Sequence, residues 1–183
     1  MLTQGVAIII GCLFLIGIIL YNDLIKFRNR AKEAWADIDV QLRRRYNLVP
    51  NLLKTVKGYA KHEKEIFNKV AMARAKAMGT SDVKEKGKAE NQLTNSLKSL
   101  FAISEEYPKL EASKNFSQLQ TELRDTEDKI QAARRFYNTN VRDFNTKVES
   151  FPVNLVAKFS GFEKMNFFEL KDKDKRKVPE TNF

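Results

Sequence analysis

The apolar positions of this chain follow two regimes. From Gly5 to Tyr21 they are nearly continuous and carry no charge, whereas past residue 22 they recur every three or four residues. A helix of the first kind covers roughly 25 Å at ~1.5 Å per residue, near the lower limit for one membrane crossing. Eleven of its residues are Val, Ile, Leu or Phe, among them Val6, Ile10, Phe14, Ile18 and Leu20. Together they favour insertion by roughly 3–7 kcal/mol. Neither Gly nor Pro separates the run from the basic pattern that follows, so the anchor is expected to continue directly into a helix of the adjoining domain.

That first helix carries Leu24, Arg28, Ala31, Trp35, Ile38, Leu42, Arg45 and Val49 at spacings of 3 and 4, a coiled-coil-like seam. Pro50 is expected to end it, because the residue before a proline avoids helical geometry. A second helix reads Leu52, Val56, Tyr59, Glu63, Ile66, Val70, Ala73 and Ala77, and Gly79-Thr80-Ser81-Asp82 breaks it. A third, over about 82–104, is weak in its first half and firm from Leu93 onward. The fourth is the clearest, from Phe116 through Leu123, Ile130, Tyr137 and Phe144 to Phe151. Nothing alternates like a strand.

These elements predict an all-α fold, an antiparallel up-down four-helix bundle whose first helix extends the transmembrane helix. The expected organisation is an anchor over 1–22, a bundle over 23–151, an aromatic amphipathic segment over 152–170 and a disordered charged tail over 171–183. Four helices leaving and returning in turn would bring the chain back to the lipid. Lys158, Phe159, Phe162, Lys164, Phe167 and Phe168 would then sit at the headgroups, or fold back over the open end of the bundle.

Charge sets the expected orientation. No Lys or Arg precedes the apolar run, while Lys26, Arg28, Arg30 and Lys32 follow it. The positive-inside bias places the N-terminus outside and the domain in the cytoplasm; a periplasmic domain would require that bias to fail. The net charge of +10 suits a domain near an anionic leaflet, and equally suits plain solubility. Neither a basic stretch ahead of the run nor a small-x-small cleavage site marks a signal peptide. Ile9-Ile10-Gly11-Cys12 resembles a lipoprotein processing box, but the apolar run continues past Cys12, which favours a retained helix. Ala7 and Gly11 offer one small-xxx-small pair through which two anchors could pack.

Candidate chemistry is sparse. His62-Glu63 begins like a zinc-protease helix, but His62 is the single histidine, which excludes a two-histidine site within one subunit. A di-iron Glu-x-x-His arrangement fails because position 59 is Tyr. No nucleophile-base pair and no glycine-rich phosphate loop is present, so neither an enzyme nor a cofactor is expected. Arg43-Arg44-Arg45 and Arg134-Arg135 are spread around their helices rather than gathered into one basic stripe. Pairing with Asp37, Asp39, Glu122 or Glu127 is expected in place of nucleic acid. Counting levels in an in-register bundle puts Asp37, Glu63, Gln92 and Thr126 opposite one another, a candidate polar layer that would fix register.

The run Ala34-Trp35-Ala36-Asp37-Ile38-Asp39-Val40-Gln41-Leu42-Arg43-Arg44-Arg45-Tyr46-Asn47-Leu48-Val49-Pro50-Asn51-Leu52 closely resembles the signature of the LemA family of bacterial single-pass membrane proteins. Val56-Lys57-Gly58-Tyr59, Glu106-Tyr107-Pro108, Asn115-Phe116-Ser117-Gln118-Leu119-Gln120, Ala133-Arg134-Arg135-Phe136-Tyr137-Asn138 and Phe151-Pro152 extend the match over about residues 24–162, poorly between 78 and 96. The resemblance implies an N-terminal anchor, an antiparallel helical bundle and no catalytic residues. Members are often encoded near membrane proteases, and a relative participates in building magnetosome membranes. The expected function is a non-enzymatic adaptor or scaffold at the cytoplasmic face of the bacterial inner membrane. Its expected partners are lipid and other membrane proteins, a protease among them. The alternative is a self-assembling, membrane-organising homo-oligomer.

Overall fold

A computed structural model describes residues 2–169 of the chain. The described residues are all-α and form six helices in up-down packing: α1 (Leu2–Lys57), α2 (Lys64–Gly79), α3 (Val83–Ser104), α4 (Pro108–Glu111), α5 (Lys114–Glu149) and α6 (Val153–Phe159). The expectation of four helices is corrected by the single turn of α4 and by α6, both begun next to a proline. The tail expected over 171–183 lies outside the described residues.

α1 runs unbroken for 56 residues and carries Pro50 inside it. Pro50, expected to end this helix, also removes one backbone N–H and leaves the carbonyl four residues earlier without its helical donor. Here that carbonyl belongs to Tyr46, and the Arg74 side chain of α2 supplies the donor, Nε to oxygen at 2.8 Å. The break comes instead at Gly58, where the last turn tightens: Gly58 N–H donates to the Thr55 carbonyl at 3.2 Å and Tyr59 N–H to Val56 at 3.0 Å. The second break follows expectation. Asp82 caps α3, its carboxylate accepting from the N–H groups of Lys84 (3.0 Å) and Glu85 (2.9 Å).

The chain divides into two compact units, and α1 and α5 contribute residues to both. Unit 1 comprises Met1–Val40 and Ile130–Phe167. Within it Trp35 meets Tyr137 at 5.2 Å between rings, and Asp23 pairs with Lys147 at 2.7 Å. Contacts that move up one helix as they move down the other make α1 and α5 antiparallel here. Its core gathers Leu24, Phe144, Val153, Ala157 and Phe162, with Leu20, Phe27, Val148 and Met165 packed against them. A cis Phe151–Pro152 bond and a left-handed Gly161 (φ +70°) flank α6, beyond which the described chain has no regular secondary structure.

Unit 2 comprises Gln41–Lys129 with, among the described residues, Phe168 and Glu169. Leu42, Val49, Leu52 and Val56 of α1, Phe67 and Val70 of α2, Leu93, Leu97 and Leu100 of α3, and Phe116 and Leu123 of α5 are buried in it. The first half of α3 turns Lys86, Gly87 and Glu90 inward, which explains its weak apolar signal. Gly87 is required by close approach: a Cβ there would lie 2.5 Å from the carbonyl oxygen of Glu169.

Candidate functional site

Two features stand out, one in each unit. In unit 1 the residues expected to span a membrane lie on the surface. Val6, Ile10, Phe14 and Ile18 are exposed and Leu20 is half-buried against the core. α1 is the one helix among the described residues long and apolar enough to cross a membrane, and the apolar part is not buried by the protein. Such a surface is far larger than the apolar patches that water-exposed proteins tolerate.

α6 lies beside this apolar stretch. Leu13, Phe14 and Ile18 of α1 and Leu155, Val156 and Phe159 of α6 line an open cleft of about 470 Å³. Val153 and Ala157 turn into the core, while Leu155 (61% exposed) and Phe159 (95% exposed) face outward, one helical turn apart. The position of α6 is fixed by the irregular segment behind it. The Asn145 side chain donates to the Met165 carbonyl (3.0 Å) and accepts from its N–H (2.8 Å). Tyr137 donates its hydroxyl to the Asn166 carbonyl at 2.9 Å, and burial pushes its pKa up to about 12. The phenol therefore stays a donor at physiological pH.

Of the residues expected at a lipid interface, Lys158, Phe159, Lys164 and Phe167 are exposed. Phe162 and Phe168, by contrast, are buried, as folding back over the helical body would place them. Phe162 packs edge-on against Tyr21 and Phe144, with the Arg28 guanidinium 5.0 Å over its ring. Leu155 is also exposed, and spacing alone does not say which face of a seven-residue helix turns outward; Phe151, expected on the seam of the fourth helix, lies past the end of α5 and is 78% exposed.

In unit 2 the notable feature is a buried ion pair. Arg45 (2% exposed) and Glu90 (fully buried) approach to 3.5 Å. Arg45 also reaches Glu127 at 3.2 Å and donates to Thr94 Oγ1 at 2.5 Å. Glu90 accepts a hydrogen bond from the Tyr46 hydroxyl, and the Lys86 ammonium lies 5.7 Å over the Tyr46 ring. Burial holds the Glu90 carboxyl above the ordinary carboxylate range. The Tyr46 hydroxyl and the Arg45 and Lys86 charges pull the other way. At the surface, Arg44 pairs with Asp125 at 3.2 Å.

This cluster stands where a different polar layer was expected. Asp37 and Gln92 are exposed, and the Thr126 hydroxyl is buried against the Glu122 carbonyl of its own helix (2.8 Å). Glu63 is half-buried at the N-cap of α2, where Tyr107 donates to it at 3.4 Å. The structure gives the four no common buried layer. The reason is register: the in-register layer requires a second helix that starts directly after Pro50, whereas α1 runs to Lys57 and α2 begins only at Lys64. One signal could have found the true cluster. Arg45 sits on the apolar seam, and a buried guanidinium requires an acidic partner facing it.

Among the described residues no group of three or more His, Cys, Asp or Glu side chains could hold a metal ion. Cys12 is a free, exposed thiol.

The sequence is similar to those of known proteins. A magnetosome protein, MamQ, of Magnetospirillum gryphiswaldense is 24% identical over 177 residues, covering 82% of this chain and 65% of its own length. The chain thus spans about two thirds of that relative. Protein LemA of Metamycoplasma hominis is 30% identical over 150 residues, covering 81% of this chain and 68% of the relative. The model of the LemA family matches residues 34–183, the greater part of the sequence. The chain belongs to the LemA family.

Proposed function

We propose that this protein is a non-enzymatic scaffold held at the cytoplasmic face of the inner membrane by α1. The observation that carries the reading is the continuity of α1. A surface-exposed apolar stretch leads, without a break, into a helix whose later turns build the core of a charged helical domain. Such a helix transmits the position of the anchor to the domain with no flexible linker between them. The domain limits that fit this reading are an anchor over 1–22 and a helical body from residue 23. Lys26, Arg28, Arg30 and Lys32 directly after the span favour the cytoplasmic side. The domain then presents a surface to other membrane proteins, with a membrane protease as the first candidate.

Similarity to a magnetosome protein favours a second reading, a self-assembling organiser of membrane. Crosslinking in intact cells, followed by purification of the full chain in mild detergent, separates the two. A distinct membrane protein recovered in stoichiometric amount supports the scaffold. A ladder of crosslinked copies of the chain alone supports the organiser and counts against the scaffold.

A further inference from the structure

We propose that α6 is a second membrane-contacting element, submerged beside the anchor with Leu155 and Phe159 among the acyl chains. One chain of a bilayer phospholipid would occupy the cleft between the two helices. The inference rests on reading α1 as a crossing helix, and it adds a part of the molecule that the anchor alone does not assign to lipid.

Depth follows from the cleft walls. The α1 side runs from Leu13 to Tyr21, all within the charge-free stretch, and covers ~12 Å along the helix axis. If those residues lie in hydrocarbon, the α6 side chains opposite them are in the same layer. The composition of the cleft agrees: Gly17 and Ser160 are its small members, and no charged residue lines it. The outward face of α6 completes the picture. A phenylalanine exposed to 95% and a leucine to 61%, one turn apart, form an apolar ridge that water does not favour. Phe151, 78% exposed, extends that apolar surface just before α6. Exposed Lys158 supplies a cation suited to phosphate headgroups, as interfacial helices do. Burial of Val153, Ala157 and Phe162 fixes the helix to unit 1, so its apolar ridge is held out in a defined direction.

Site-directed spin labelling of the full chain in vesicles containing anionic phospholipid tests this. In a Cys12→Ser background, single labels are placed by Phe14→Cys, Phe159→Cys and Thr139→Cys. Their collision rates with oxygen, which partitions into lipid, and with a water-soluble nickel chelate are compared. The expected result is an oxygen-to-nickel ratio at position 159 close to that at 14 and an order of magnitude above that at exposed Thr139. A water-like ratio at 159 with a lipid-like ratio at 14 overturns the submerged α6 and leaves the anchor intact. Low collision with both reagents at 159 means that protein covers the site, and overturns it equally. A water-like ratio at 14 removes the anchor itself, and the inference with it.

Discussion

Unit 1 carries large apolar side chains on its surface, whereas unit 2 carries ionised groups in its interior. Each inverts the usual rule in a different way, and each inversion has its own remedy. The exposed apolar residues of unit 1 are contiguous along one helix and one neighbouring short helix, an arrangement that a lipid solvent covers. The buried charges of unit 2 are matched within the protein: Arg45 has Glu90, Glu127 and Thr94, and Glu90 has Arg45 and the Tyr46 hydroxyl. Surface apolarity in one region thus points to an environment, and interior polarity in the other to internal specification of register. Neither requires a reaction.

The largest effects should come from breaking the interior pair. Glu90→Ala leaves the Arg45 guanidinium buried with a weaker set of partners and should cost about 3–5 kcal/mol in denaturant unfolding of the detergent-solubilised chain. Replacing both, Arg45→Met with Glu90→Leu, should recover most of that loss. If the double variant is as unstable as the single, the pair is not the cause. Protonation adds a second reading. Because burial raises the folded-state value of Glu90, the folded state keeps this proton to higher pH than the unfolded chain does. Its contribution to stability therefore falls as pH climbs from the ordinary carboxylate range through the raised value. Glu90→Gln should flatten that slope.

A comparable loss is expected in the core of unit 1, and there the two phenylalanines flanking Gly161 should diverge. Phe162→Ala removes a buried ring and should cost about 3–5 kcal/mol. Phe159→Ala should change stability in detergent by no more than about 0.5 kcal/mol, as surface replacements do. Equal losses would contradict the division into buried and lipid-facing rings. Between these two, Arg74→Leu strips the donor from the Tyr46 carbonyl beneath Pro50 and should cost about 1–3 kcal/mol. Asp82→Ala should cost about 1 kcal/mol by uncapping α3.

Much of this fold was legible because helical periodicity and helix caps are local. The apolar run, the long seam of α5 and the Asp82 cap could all be read from neighbouring residues. What was missed depended on contacts distant in sequence. Pro50 stays inside α1 because Arg74, 24 residues away, answers the carbonyl it orphans. A helix end at Pro50 shifts the register and puts the polar layer on Asp37, Glu63, Gln92 and Thr126 instead of on Arg45 and Glu90. Similarly, the aromatic segment was visible as composition. The split between buried Phe162 and outward Phe159 depends on how Asn145 and Tyr137 hold the chain at Met165 and Asn166. Backbone clamps of that kind leave no periodic trace.

The central claim is that α1 crosses the membrane with the helical body on the cytoplasmic side. Labelling of Thr3→Cys and Thr139→Cys, each in a Cys12→Ser background, with a membrane-impermeant maleimide in intact spheroplasts tests it most directly. Modification of Thr3→Cys before lysis, and of Thr139→Cys only after lysis, is the result predicted. Modification of Thr139→Cys in intact spheroplasts, alone or with Thr3→Cys, would contradict it.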